Sequence, residues 1–449
     1  MVGIGGSGMS GIAEVLLNLG HQVNGSDIKE TDVTRRLQAL GARIYYGHDY
    51  SHVDEADVVV YSSAINSENP ELKAAVEKMI PIIPRAEMLA ELMRVKYGIA
   101  VAGTHGKTTT TSLIATVLAT GSLDPTVIIG GRLNSYGSSA KLGKGDLMIA
   151  EADESDGSFL KLSPIITVVT NIDSDHMDYY TDLISLKEAF VEFNNKVPFY
   201  GVNILCLDDV AVQNLIPFLK RRHITYGLTA QADYQAREVV FAGLKSRFQI
   251  FYHGETLGEF TVGLPGIHNV QNALAAVVLA RELDLDVKTI KKALKEFSGI
   301  ERRFQIRGEI GGITIVDDYG HHPTEVKCML DTVKQVWEGR RLVVVFQPHR
   351  FSRTHILFND FLTAFYQADH LVLTSIYPAG EEPIDGVSAD TLFQGIKEHG
   401  HKSVVCFSES DDIVNHLIDI IETGDIVLTL GAGDVWKVGE ALIKRLRKK

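Results

Sequence analysis

Apolar residues along this chain fall into short runs, each followed by a small or polar turn and then by apolar positions at helical spacing. Runs at 58–61, Tyr97–Ala102, 126–129, 165–170, 313–316, Leu342–Phe346, 371–374, 403–407 and Ile426–Leu430 share this character. Strands covered on both faces read as continuous apolar runs, and the helices between them supply the crossovers of a parallel sheet. The pattern therefore predicts an α/β fold. Weaker runs at 21–24 and Arg43–Tyr46 extend it towards the N-terminus, with helices from Pro70 and over Arg85–Arg94. Segment 248–262 reads instead as β-hairpin material around His253-Gly254.

Composition narrows the picture. A length of 449 residues implies two to four domains at about 100–200 residues each. The net charge of −13 argues against a nucleic-acid or membrane-surface partner. No stretch approaches the ~18–20 apolar residues of a membrane span. Cys206, Cys328 and Cys406 are widely separated and odd in number, which suits reduced thiols and a cytoplasmic protein. A monomer or weak homodimer is expected.

Chemistry concentrates in the turns. Gly103-Thr104-His105-Gly106-Lys107-Thr108-Thr109 lies between an apolar run and a helix spanning 110–118, the setting of a phosphate-binding loop. Its glycines let the backbone close on phosphate oxygens; Lys107 would reach the β/γ-phosphates and Thr108 would ligate Mg²⁺. The loop is a shortened variant, with Val101 where the strict spacing asks for glycine. A second glycine turn, Gly3, Gly5 and Gly8, precedes a helix, and Asp27 follows about 20 positions on. It offers a diphosphate seat built from Gly5, Gly6, Ser7, Gly8, Met9 and Ser10. Whether that diphosphate belongs to a nicotinamide cofactor or a nucleotide-sugar stays open from these residues.

Further downstream, an apolar strand ends in Glu151 amid the acidic stretch to Asp156, the way a Mg²⁺ ligand is delivered beyond a phosphate loop. His176 follows the next strand with acidic neighbours and reads as a metal ligand. Asn269 and Asn272 share a helix face; their amides suit a base edge or a helix cap equally. In the last third, polar clusters at 317–323, 347–354 and 431–434 each follow a strand, which predicts one functional rim of a parallel sheet. His349, Arg350 and Arg353 together favour an anion site.

Taken in order, these stretches resemble the Mur ligases, the ATP-dependent amide-forming enzymes of bacterial cell-wall precursor synthesis. The resemblance implies three domains: a Rossmann-like UDP-sugar domain (1–95), a central P-loop ATPase-like domain with a mixed or parallel sheet (96–303) and a Rossmann-like amino-acid domain (304–449). It assigns the first glycine turn to the UDP-sugar, with Ser62 and Ser63 near the right strand ends. It implies that Gly103–Thr109, Asn269, Asn272, Arg303 and Asp318 hold ATP. Thr108 and Glu151 would hold one Mg²⁺ and His176 a second metal, where Mn²⁺ should substitute well because nitrogen is an unusual Mg²⁺ ligand. Tyr319, His349, Arg350 and Arg353 would position the amino acid. The pattern is nearest to the branch that adds L-alanine to UDP-N-acetylmuramate. The branch that attaches an intact tripeptide departs from the His176-Met177-Asp178 motif kept here. An NAD-dependent oxidoreductase, which the first glycine turn and Asp27 would suit, leaves Gly103–Thr109 and His349–Arg353 without a role.

Overall fold

The computed structural model describes residues 1–62, 64–129, 140–177 and 179–448. The N-terminal region holds two parallel strand pairs, Asn24–Asp27 with Arg43–Tyr46 and Val59–Tyr61 with Ile82–Pro84. Val2 bridges Ser26 on one side and Tyr61 on the other, so a single residue of the first strand joins the pairs into one parallel layer. The strand expected at 21–24 runs instead over Asn24–Asp27, because the chain leaving the helix Ser7–Asn18 first turns through Gly20 at φ +90°.

Among the described residues the central sheet has ten strands. Its middle is parallel, with Tyr97–Ala102 between Ile166–Val169 and Leu147–Glu151. Helices cover both faces, which is why these strands are apolar throughout. Lys107–Thr120 and Ile267–Glu282 pack on one face with Leu113, Val117, Leu274 and Val278 fully buried. Phe159, Phe190 and Phe193 fill the other. The expected hairpin at 248–262 is part of a three-strand antiparallel meander, Tyr234–Ala242, Lys245–Tyr252 and Glu255–Val262. Its first strand is buried over its first three residues and then carries the exposed Arg237 and Glu238, so it lacks the apolar run that marks the others.

The last six-stranded sheet is parallel except for its edge strand Gln305–Ile310, which pairs antiparallel with Ile313–Asp318. Its parallel strands Ile313–Asp318, Leu342–Phe346 and Ile426–Leu430 end side by side, and their polar turns form one rim. Arg302 locks that rim: it pairs with Asp317 at 3.0 Å and donates to the carbonyls of Gly431 (2.5 Å) and Gly433 (3.0 Å). Among the described residues no helix is long and apolar enough to cross a membrane.

Candidate functional site

The glycine turn, the phosphate loop and the C-terminal rim face one another across a cavity of about 580 Å³. The phosphate loop owes its shape to the neighbouring strand end. Thr170 Oγ1 donates to the His105 carbonyl (2.6 Å), and Asn171 Oδ1 accepts from the His105 amide (2.8 Å). Gly103 sits at φ +127°, where an added Cβ would lie 2.2 Å from Thr170 Oγ1. Gly106 then starts the helix Lys107–Thr120 at φ +81° with no side-chain cap, so its first amides point into the cavity region as anion donors.

Lys107 donates to the carbonyls of Gly103 (2.6 Å) and Thr104 (3.2 Å) and to Glu154 Oε1 (2.7 Å). Burial works against its charge, but Glu154, Asp153 and Glu151 outweigh that and hold the ammonium protonated. Burial pushes the Glu154 carboxyl up, with Lys107 opposing. Among the described residues the second Glu154 oxygen, also buried, has no hydrogen-bond partner. His176 Nε2 lies 3.8 Å from the first. Thr108, Glu151 and His176 line the first cavity together, and a hydroxyl, a carboxylate and an imidazole are a donor set that fits a hard divalent cation with one nitrogen contact.

Arg353 crosses from the third sheet to grip Asp175 through two bonds of 3.1 Å, both groups being buried. Burial would raise the Asp175 carboxyl, yet Arg353 and His176 hold it well below the usual carboxylate range. The Arg353 Nη1 edge turns to His349 Nδ1 at 3.4 Å, which must then accept. Burial, Arg353 and Arg350 accordingly lower His349 to about 4. Tyr319, His321 and Arg350 line the same wall. Arg302 and Arg303 flank the Tyr319 ring at 5.1 and 5.2 Å.

A second cavity of about 460 Å³ opens on the other side of the loop, lined by Tyr226, Leu264, Phe304 and Met329 with Thr109, Asn269, Asn272, Arg303 and Asp318. The two asparagines do not cap their helix, which begins at Gly266 without a side-chain cap. Asn269 donates to the Pro265 carbonyl (2.7 Å), and Asn272 accepts from Thr110 (3.1 Å) directly behind Gly106. Asp318 accepts from the Phe304 and Gly320 amides at 2.8 and 2.7 Å, and burial raises it to about 6.

On the N-terminal side Gly6, Gly8, Met9 and Ser62 line the first cavity. Gly5 and Asp27 do not: the Asp27 carboxylate accepts the Gly5 amide at 2.8 Å and so holds the turn itself. Ser10 is buried. Ser63 lies outside the described residues, and the side chain of Ser7 is likewise not described. Arg85, which the sequence marked only as a helix start, approaches the turn so closely that a Cβ on Gly8 would lie 2.8 Å from its guanidinium, and it faces Asp153 at 3.6 Å. Glu154, His321 and Glu325 were missed as well. Glu154 carried a signal as one carboxylate among four in the acidic stretch, and His321 as a member of the 317–323 cluster; Glu325 carried none.

His105 joins the domains. Its Nε2 lies 3.1 Å from Asp173 and its Nδ1 3.2 Å from Glu325, so both nitrogens donate and the ring is an imidazolium. His105, Asp173 and His322 bring ligand-type atoms within 4.8 Å of one another. However, His322 Nδ1 already accepts the Thr324 amide at 3.2 Å, so the group is an ion-pair cluster. Burial opposes the His105 charge, but Asp173 and Glu325 raise it to about 9. A folded-state value above the unfolded one means this stabilisation is complete below about pH 6.5 and is lost as pH rises through about 9. We expect the stability gap between the parent and His105→Gln in urea unfolding to narrow over that window. A gap constant in pH would contradict the charge assignment.

The comparisons with known proteins follow this layout. Residues 1–97 match the model of the Mur ligase family catalytic domain, 101–280 that of the Mur ligase middle domain, and 302–433 that of the Mur ligase glutamate ligase domain. The UDP-N-acetylmuramate–L-alanine ligase of Geotalea daltonii is 58% identical over 100% of this chain and 97% of its own. That of Geobacter sulfurreducens is 56% identical with the same coverage. Among solved structures, the UDP-N-acetylmuramate–alanine ligase of Thermotoga maritima superposes with a TM-score of 0.84 at 29% identity, covering 100% of this chain and 98% of the other. A murein peptide ligase from Psychrobacter arcticus gives 0.72 at 25% identity, covering 99% and 98%.

Proposed function

This chain belongs to the Mur ligase family, and on that premise we propose that it joins L-alanine to the lactoyl carboxylate of UDP-N-acetylmuramate at the expense of ATP. The observation that carries the reading is the meeting of three anion sites on one cavity: a glycine turn with Arg85, a phosphate loop with Lys107, and an arginine rim with Arg350 and Arg353. Whole-length relatives that carry this activity in their names support it.

A carboxylate is a poor electrophile, so the γ-phosphoryl group of ATP passes first to the lactoyl oxygen, releasing ADP and leaving an acyl phosphate. The free amine of L-alanine then attacks the carbonyl carbon, loses a proton, and expels phosphate to leave the amide. Negative charge gathers where phosphoryl and carboxylate oxygens meet, and positioned cations and N–H donors must offset it. Lys107 and the first amides of its helix hold the phosphates. Asn269 and Asn272 lie on the adenine side with Arg303 and Asp318, and the Tyr319, His349, Arg350 and Arg353 wall receives the amino acid. An arginine fork fixes the plane of a carboxylate through parallel N–H bonds. The UDP-sugar lies along Gly6, Gly8, Met9, Ser62 and Arg85. The division of labour is 1–95 for the sugar nucleotide, 96–303 for ATP and 304–449 for the amino acid.

Thr108 and Glu151 would hold one Mg²⁺ and His176 a second ion, which together supply charge neutralisation on the phosphate and carboxylate oxygens. Because His176 presents nitrogen, Mn²⁺ should support turnover comparable with Mg²⁺ at saturating substrates, as phosphate release in each metal would reveal. Markedly poorer rates with Mn²⁺ would count against the imidazole ligand.

The direct test is phosphate release from ATP with UDP-N-acetylmuramate, with and without L-alanine or the tripeptide. Release that requires the sugar nucleotide and L-alanine is expected. Release only with the tripeptide would move the chain to the recycling branch, and release under neither condition would remove the proposal.

A further inference from the structure

Glu325 lies in the first turn of the helix Pro323–Val336, on the third domain. One carboxylate oxygen accepts the amides of His321 (2.9 Å) and His322 (3.3 Å), which closes the helix start. Its other oxygen is 3.2 Å from His105 Nδ1 on the phosphate loop. The opposite edge of the same imidazolium meets Asp173 of the central domain at 3.1 Å, and Thr324 donates to that Asp173 oxygen at 2.6 Å. Glu325 and His105 are also among the few residues that line both cavities.

One carboxylate therefore touches the loop that would grip phosphate and the backbone that carries Tyr319 and His321. We propose that Glu325 is a positioning residue: it ties the amino-acid wall of the third domain to the phosphate loop through His105, so that the L-alanine site is aligned only against a correctly formed loop. The inference rests on the functional reading above for its substrate. Its physical content, a charged bridge between two domains, does not depend on that reading.

Two roles for Glu325 must be separated, the helix cap and the bridge. Glu325→Gln keeps an amide oxygen for the His321 and His322 amides. It turns an N–H₂ group towards an imidazolium that already donates there, so the bridge is lost while the cap persists. The experiment is a double-mutant cycle of Glu325→Gln and His105→Gln on the full chain, read in two ways. In steady-state kinetics we expect the KM for L-alanine to rise at least about tenfold in Glu325→Gln, with kcat and the ADP dissociation constant changing less than about threefold. In thermal unfolding without substrates we expect the two substitutions to be strongly non-additive.

An unchanged KM for L-alanine, or a loss confined to kcat, would overturn the positioning role. Additive unfolding effects would overturn the bridge itself. If the parent makes no product with L-alanine the functional reading fails, and the unfolding cycle still decides whether the bridge exists.

Discussion

Lys107→Ala is expected to lower kcat for phosphate release by about 10³-fold, with a much smaller change in the KM for L-alanine. The ammonium is held charged by Glu154, Asp153 and Glu151, and it sits at the start of an uncapped helix. It therefore adds a full charge where the helix supplies only partial ones. The substitution has a second consequence. Glu154 is fully buried and would lose its 2.7 Å partner, and an uncompensated buried charge costs about 3–5 kcal/mol. Lys107→Ala combined with Glu154→Gln should recover much of that stability without recovering the rate. Turnover like the parent's in either variant would remove Lys107 from the phosphate site.

The second large effect is expected at Arg353. Its guanidinium spends Nε and Nη2 on Asp175 and turns Nη1 towards His349, so it serves the domain junction and the amino-acid wall together. Arg353→Ala leaves the buried Asp175 without its guanidinium and with only His176 beside it, which should cost about 3–5 kcal/mol in denaturant unfolding and abolish measurable amide formation. Arg353→Lys is the more informative variant. A lysine restores the charge but not the fork, because one ammonium cannot make two coplanar N–H bonds to a carboxylate. Stability should return in part while the KM for L-alanine stays raised by about 30-fold or more. A KM within about twofold of the parent's would show that the fork has no part in substrate alignment.

Features written in consecutive residues were legible from the sequence. The phosphate loop needs a strand, two glycines, a lysine and a helix in immediate succession, and Tyr97–Thr120 has that order in the sequence and in the fold. The rim of the third sheet was legible for the same reason, since each cluster follows its own apolar run. Features that depend on separation were not. His105 and Glu325 are 220 positions apart, and only domain packing brings them to 3.2 Å. Arg85 follows Ile82–Pro84, a strand too short to register as an apolar run, so nothing marked its helix start as part of a rim. The sequence marks Asp27 as a carboxylate at a strand end but not its partner, and in the fold it accepts the Gly5 amide at 2.8 Å. Spacing identifies a carboxylate at a strand end; its partner is decided in three dimensions.

Activation of a carboxylate by phosphoryl transfer before the amine attacks is the step on which the proposed reaction turns. UDP-N-acetylmuramate labelled with ¹⁸O in its lactoyl carboxylate tests it most directly, with ATP and L-alanine present and the released phosphate weighed by mass spectrometry. An acyl phosphate carries one carboxylate oxygen away with the phosphoryl group, so each amide formed should release one phosphate bearing a single ¹⁸O. Amide formation with unlabelled phosphate would contradict the account.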